Sequence, residues 1–350
     1  MSIFQHVGGF QVSARGVTLL VPDTPSFDEP ATTGGRTFRV EIFQEPASNL
    51  WQRLPIDDAF AAGQIARAKK WEGPSYSATV LFVALPATGR RGAIVREWML
   101  SALSLFLPVA IRPGPLVLVG RVARLIDSED VTAGQFDCRS LTSEEVWCLS
   151  SDDGVRFSAF VSELSKLCST FLRSTRLKIA RRYFEKSSLA EAPEDRVLLL
   201  TVALEALLSP SGNDELKFRI ASRASLLLGG SHHDVEHTFE LVRSAYDIRS
   251  AVAHGAFDSF ATKPCKAPVG RYLRALGLPE SAGVDPLLSA LHHLVRYLIV
   301  YVAWLDHTGF GEDAIGRTTD HPRFVDRNGR SLPALPVPLT PVRRGVEALG

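Results

Sequence analysis

Cysteine is scarce in this chain: Cys138, Cys148, Cys168 and Cys265 are the only four in 350 residues, and no two form a Cys-x-x-Cys pair. That spacing suggests neither a zinc site nor a disulfide framework, and reduced thiols fit a cytoplasmic protein. An excess of either charge is also missing. The 39 Lys and Arg stand against 38 Asp and Glu, a formal net charge of +1. No global field draws such a chain to nucleic acid or a membrane, so any contact with a polyanion has to be local. The start, MSIFQHVGGFQVSARG, lacks the basic end and apolar run of a signal peptide. The most apolar window, Leu287 to Leu305, is interrupted by His292, His293 and Arg296, which mark a core helix rather than a membrane span. No phosphate loop, nucleophile motif or internal repeat is found; Thr88-Gly89 and its neighbours fall far short of a Walker sequence.

What is present divides the chain. Its length suits two domains with cores of their own. Residues 1–150 read as an α+β domain of unspecified role, a candidate sensor or regulator. Gln11–Val21 and Thr37–Gln44 have strand character, with Phe38, Val40 and Ile42 alternating against Arg39 and Glu41. Ser77–Leu85 and Leu116–Leu125 are further strand candidates, while Asp57–Trp71 and Arg91–Leu107 have helical patterns. The Pro-, Thr- and Gly-rich segment from Pro22 to Gly35 is a loop.

After the SSDDG turn at Ser150–Gly154 the pattern becomes helical, and residues 151–308 are expected to form an all-α domain. Phe160, Leu164, Leu167 and Phe171 make an apolar stripe at i, i+4, i+7, i+11. Further helices are expected over Arg176–Ser187, over Pro193–Leu208, from Asp214 to Gly229, from Ser231 to His254, and from Asp285-Pro286 to Asp306. A long proline-containing connection is expected at Gly255–Gly283. Residues 309–350 read as a Pro-rich, draped tail.

The most informative stretch is Leu241–Gly255, LVRSAYDIRSAVAHG. Read as a helix, Leu241, Ala245, Ile248 and Val252 form one apolar stripe. His254 projects roughly opposite it, Tyr246 and Arg249 lie on its flanks, and Gly255 is a helix stop. Upstream lie Ala203-Leu204-Glu205-Ala206-Leu207-Leu208 and the run from Glu215 to Ala224. This ordered trio, ending in YxxRSxxxHG, resembles the HEPN superfamily, most closely its Apea-like branch, over about Arg176 to His307. The resemblance implies an all-α bundle, commonly homodimeric. It also implies a metal-independent ribonuclease without cofactor, since many members are such enzymes and several act as antiviral or toxin-like defence effectors.

The chemistry suits those residue types. RNA cleavage without a metal needs a base for the 2′-hydroxyl proton, an acid for the leaving oxygen and a cation for the phosphorane charge. Imidazole serves the proton transfers, and guanidinium grips phosphate through paired donors. Residues five apart on a helix sit about 140° around and roughly 7.5 Å along the axis; arginine's length closes much of that gap, yet one chain supplies only one histidine. The resemblance implies a composite site between two copies, with Arg249 and His254 catalytic and Ser250 on the face of His254. Many active relatives have Asn, Asp or His where Ser250 stands. That departure favours a rival reading, a non-catalytic HEPN-like dimerisation or ligand-binding module.

Other residues compete for roles. Glu205, a lone carboxylate between Leu204 and Leu207, calls for a cation such as Arg219 or Arg249, structurally or to orient the site arginine. Arg173, Arg176, Lys178, Arg181, Arg182 and Lys186 point in several directions on a helix. The bland reading is a solvated surface; the sharper one is an RNA-backbone patch that includes Arg176, Lys178, Arg181 and Arg182. His233 and His237 share a face, yet no further ligand has metal-site spacing, so His232, His233 and His237 read as helix-start surface. His292 and His293 read as packing or interface residues. The partners expected are therefore RNA, a second copy of the chain and an unidentified trigger, with no membrane and no metal.

Overall fold

The structure is a computed structural model. It describes the backbone of the strands below and of residues 89–107, 151–209, 216–228 and 232–310, with side chains at 98–107, 153–209, 216–228 and 234–310. The chain divides into two compact units at Lys166/Leu167.

In the first unit, β1 (Ser2–Gly8), β3 (Val17–Pro22), β4 (Thr37–Pro46), β5 (Ser77–Ala84), β6 (Arg112–Val119) and β7 (Ala123–Leu125) pair in the order β3-β4-β5-β1-β6-β7. Each neighbour is antiparallel. The short β2 (Gln11–Val12) and β8 (Cys148–Leu149) pair in parallel. Helix α1 (Gly89–Phe106) and the first part of α2 (Ser151–Arg173) complete this unit. Phe106 packs on Phe157 and Phe160 at ring-centroid distances of 5.0 and 5.5 Å.

The fold class expected from the sequence requires correction. The part of the chain described with its side chains is 85% helical and contains no strand, so an α+β domain over residues 1–150 is not shown. Alternating hydrophobicity specifies an extended segment that can pair along its backbone. An α+β domain needs in addition a helix layer closing over one face of the sheet. In this unit, side chains are described only on and beside α1 and α2. The architecture that stands is a helical bundle. The helix expected at Asp57–Trp71 and the tail beyond residue 310 lie outside the described residues.

The second unit holds the end of α2, then α3 (Thr175–Leu189), α4 (Pro193–Leu208), α5 (Leu216–Leu228), α6 (His232–Ala253), α7 (Lys263–Ala275), a 3-10 turn (Glu280–Ala282) and α8 (Asp285–His307). Pro193 opens α4 where its missing N–H costs nothing, and Glu194 and Asp195 favour the positive helix end. Val197, Leu200, Ala203, Leu204, Leu207 and Leu208 are all buried along it. Each of the valine and leucine side chains stabilises the fold by roughly 1.5–3 kcal/mol, the alanine by less. At the far end of α4, Arg223 of α5 donates from Nη1 to the Leu208 carbonyl at 3.0 Å, satisfying an acceptor the helix cannot.

Helix α7 corrects a second expectation, the irregular connection at Gly255–Gly283. Pro264 sits in its first turn and Pro268 within it. The first position tolerates proline. The second is offset by burial of Cys265, Val269, Tyr272 and Leu273, which fall on one face of the helix. Helix α8 is long and apolar enough to cross a membrane, but 72% of its most apolar window is buried inside the protein. Leu291, Val295, Leu298, Ile299 and Val302 are core.

Candidate functional site

Helices α4 and α6 bring the sequence-expected residues together. On α6, Leu241, Ala245 and Ile248 are buried, which turns Arg249, one step round the helix, to the edge of the interface. On α4, burial of Leu204 does the same for Glu205. The two meet there: Arg249 Nη2 lies 3.1 Å from Glu205 Oε1 and donates to Oε2 at 3.3 Å. Of the two cations considered for Glu205, the structure selects Arg249. Their side chains are 34% and 21% exposed, so the pair contributes at most about 1 kcal/mol to stability. Its consequence is orientation. Nη2 is taken by the carboxylate, while no partner for Nη1 or Nε is found among the described residues.

Tyr246 lies beneath this pair. It is buried, and its ring centroid is 5.7 Å from the Arg249 guanidinium carbon. That geometry allows a cation–π attraction which fixes the guanidinium plane. Burial pushes the Tyr246 phenol well above its ordinary range; the neighbouring Glu205 carboxylate pushes the same way and Arg249 opposes it. The hydroxyl is shielded, and its approach to Glu205, close enough for that electrostatic effect, falls outside good hydrogen-bond geometry. The phenol stays protonated and forms a neutral wall of the site.

His254 is exposed at the end of α6. Its N–H donates to the Ser250 carbonyl at 3.1 Å, that of Gly255 to Val252 at 3.1 Å, and that of Ala256 to Ala251 at 2.8 Å. This is a Schellman closure, with Gly255 left-handed at φ 68°. It makes His254 the capping residue and holds its backbone rigidly while its imidazole faces outward. Ser250 is exposed one turn earlier. Arg249 and His254 thus do not touch within one chain: the guanidinium is held against α4, and the imidazole stands free at the helix end. Chemically, one chain offers an oriented anion-binding cation and a separate solvent-facing acid–base.

Arg176 pairs with Asp306 and Arg181 with Glu185, whereas Lys178 and Arg182 are exposed. The side chains of His232 and His233 lie outside those described, and among the described residues no group of three or more His, Cys, Asp or Glu could hold a metal ion. Sequence reasoning missed the network around Arg271. This residue of α7 reaches Asp247 at 2.5 Å, Glu240 at 3.1 Å and Ser244 at 3.4 Å, while Lys217 of α5 reaches Asp247 at 2.8 Å. Burial works to raise the Asp247 carboxyl, but hydrogen bonds from Lys217 and Arg271 outweigh it and hold the group below its usual range. Glu240, Ser244 and Asp247 recur at helical spacing, which signals a polar face on α6. Nothing in the sequence indicates that α7, expected as a loop, would supply the cation. Comparison of the chain with family models, with curated proteins and with solved structures finds no match.

Proposed function

We propose that the chain is a metal-independent endoribonuclease of HEPN type, acting as a cytoplasmic homodimer in defence. The observation that carries this reading is the Arg249 guanidinium, oriented by Glu205 over Tyr246, with the solvent-facing His254 five residues on. In the reaction, one imidazole removes the 2′-hydroxyl proton and the 2′-oxygen attacks phosphorus. The bond from phosphorus to the 5′-oxygen breaks, and that oxygen takes a proton from a second imidazole. The products are a 2′,3′-cyclic phosphate and a 5′-hydroxyl. Arg249 neutralises the phosphorane through the nitrogens that Glu205 leaves open. Two imidazoles require two copies, because each chain offers one histidine at this position.

The test incubates purified protein with total RNA in EDTA, beside His254→Ala and Arg249→Ala. Loss of either group lowers cleavage by about 10²–10⁴-fold, the usual worth of acid–base catalysis. Equal cleavage by all three proteins, or none by the wild type, refutes the proposal. The rival is a non-catalytic dimerisation or ligand-binding module. It is favoured by the commitment of Arg249 to an intramolecular ion pair, and it predicts that His254→Ala changes nothing.

A further inference from the structure

The basic residues at the end of α2 and along α3 fall into two groups. Arg176 is directed inward to Asp306, both side chains being nearly buried, and Arg181 is held by Glu185 at 3.0 Å. Arg173, Lys178, Arg182 and Lys186 are exposed. Lys178, Arg182 and Lys186 recur every fourth residue, so they stand about 6 Å apart along the axis on one outer face. That face also carries Ile179 and Leu189, which are 40% and 55% exposed. The Lys186 ammonium lies 5.9 Å from the Tyr183 ring centroid. Glu185 is the only acidic residue of α3, and it is half-buried and paired. Lys178 and Arg182 have no ion-pair partner among the described residues.

A solvated helix face normally mixes both signs. A face bearing three cations and no exposed acid, on a chain of net charge +1, is a local positive field. A second copy of this chain docked there face to face would oppose like charges. A polyanion fits, and the interleaved apolar side chains suit the sugar and base faces of an unpaired strand better than a duplex.

The axial position of this face is also informative. Only Ala190–Ala192 separate α3 from α4, so the two run antiparallel as a hairpin. Counting back from the turn, Glu205 is level with Leu177 and Lys178. Arg249, held by Glu205, is therefore at the end of the hairpin that carries Lys178, with Arg182 about one turn further along α3.

We propose that the outer face of α3 binds the phosphate backbone of single-stranded RNA and leads it toward Arg249. Delivery to a cleavage site rests on the ribonuclease reading; the binding itself does not. The experiment measures fluorescence polarisation of a short labelled single-stranded RNA over a series of salt concentrations. Full-length His254→Ala protein is compared with the same protein also carrying Lys178→Glu, Arg182→Glu and Lys186→Glu. All three side chains are exposed, and circular dichroism checks that the fold is kept.

Charge reversal lowers affinity by tenfold or more and makes the salt slope shallower by about two, from three lost contacts at roughly 0.7 each. Unchanged affinity and slope, or no RNA binding by the parent, overturn the proposal. So does a triple variant that loses binding to phosphatidylserine vesicles while its RNA affinity stays intact. Cleavage lost with Arg249→Ala but RNA binding untouched by the triple variant leaves the nuclease standing and removes the track. Binding lost in the triple variant, with no cleavage by any form, supports the track and removes the nuclease.

Discussion

Acid should unfold the helical unit earlier than its carboxylates alone require, because of two imidazoles on α8. The ring of His292 is buried against Phe184 at 4.6 Å between centroids, and its Nε2 is 3.4 Å from the Ser188 hydroxyl. Burial, Arg296 and more weakly Arg196 and His293 hold it down to about 3. His293 is likewise pushed to about 3 by burial and by Arg296, whose Nη2 is 3.1 Å from His293 Nδ1. A histidine whose pKa in the fold lies below its unfolded value takes up its proton on unfolding. Its stabilising contribution is intact above about pH 6.5 and is lost as pH falls from there toward 3. Between pH 7 and pH 5 the unfolded chain gains about 0.7 proton at each site, a loss of about 2 kcal/mol per histidine. The two share Arg296, so about 4 kcal/mol is an upper limit, against a typical total of 5–15 kcal/mol. Asp247, held below its usual range, adds nothing in that window. Urea denaturation at pH 7 and pH 5, followed by far-ultraviolet circular dichroism, should show the midpoint falling by on the order of 1 M. His292→Gln/His293→Gln should be much flatter. A wild type equally stable at both values, or a double variant with the same slope, refutes the reasoning.

Three further outcomes follow from single contacts. Arg176→Ala removes the nearly buried ion pair with Asp306 and should cost about 3 kcal/mol in urea denaturation, with Arg176→Ala/Asp306→Ala recovering part of it. Gly255→Ala meets no neighbour within 4 Å but must adopt φ 68°. It should cost about 1–2 kcal/mol, which calorimetry would register as a Tm lower by a few degrees. Glu205→Gln removes a half-exposed ion pair, so its stability should fall by less than about 1 kcal/mol. If Glu205 orients the site cation, RNA cleavage should fall well beyond that, and parallel losses in the two measurements would make it purely structural.

Helix α4 was legible because Pro193, its acidic first turn and an unbroken apolar sequence agree locally, and its bounds in the structure are Pro193–Leu208. The end of α6 was legible for the same reason, since a left-handed residue after a helix selects glycine. Helix α7 was not, because Pro264 and Pro268 argue locally against a helix that burial of Cys265, Val269, Tyr272 and Leu273 stabilises. The N-terminal fold class failed differently: alternation marks extended chain without specifying what covers it.

By itself the sequence determined where the helices of residues 151–308 other than α7 lie and which faces are apolar, since capping, proline geometry and periodicity act within a few residues. It also placed Arg249, Ser250 and His254 on one helix end. Only the tertiary structure decided that Glu205 meets Arg249 rather than Arg219, that Tyr246 lies under the guanidinium, and that Arg176 turns inward while Lys178, Arg182 and Lys186 stay exposed. Those choices depend on which helix faces pack together. Packing is settled by the burial of many side chains at once, and no single segment of the chain encodes it.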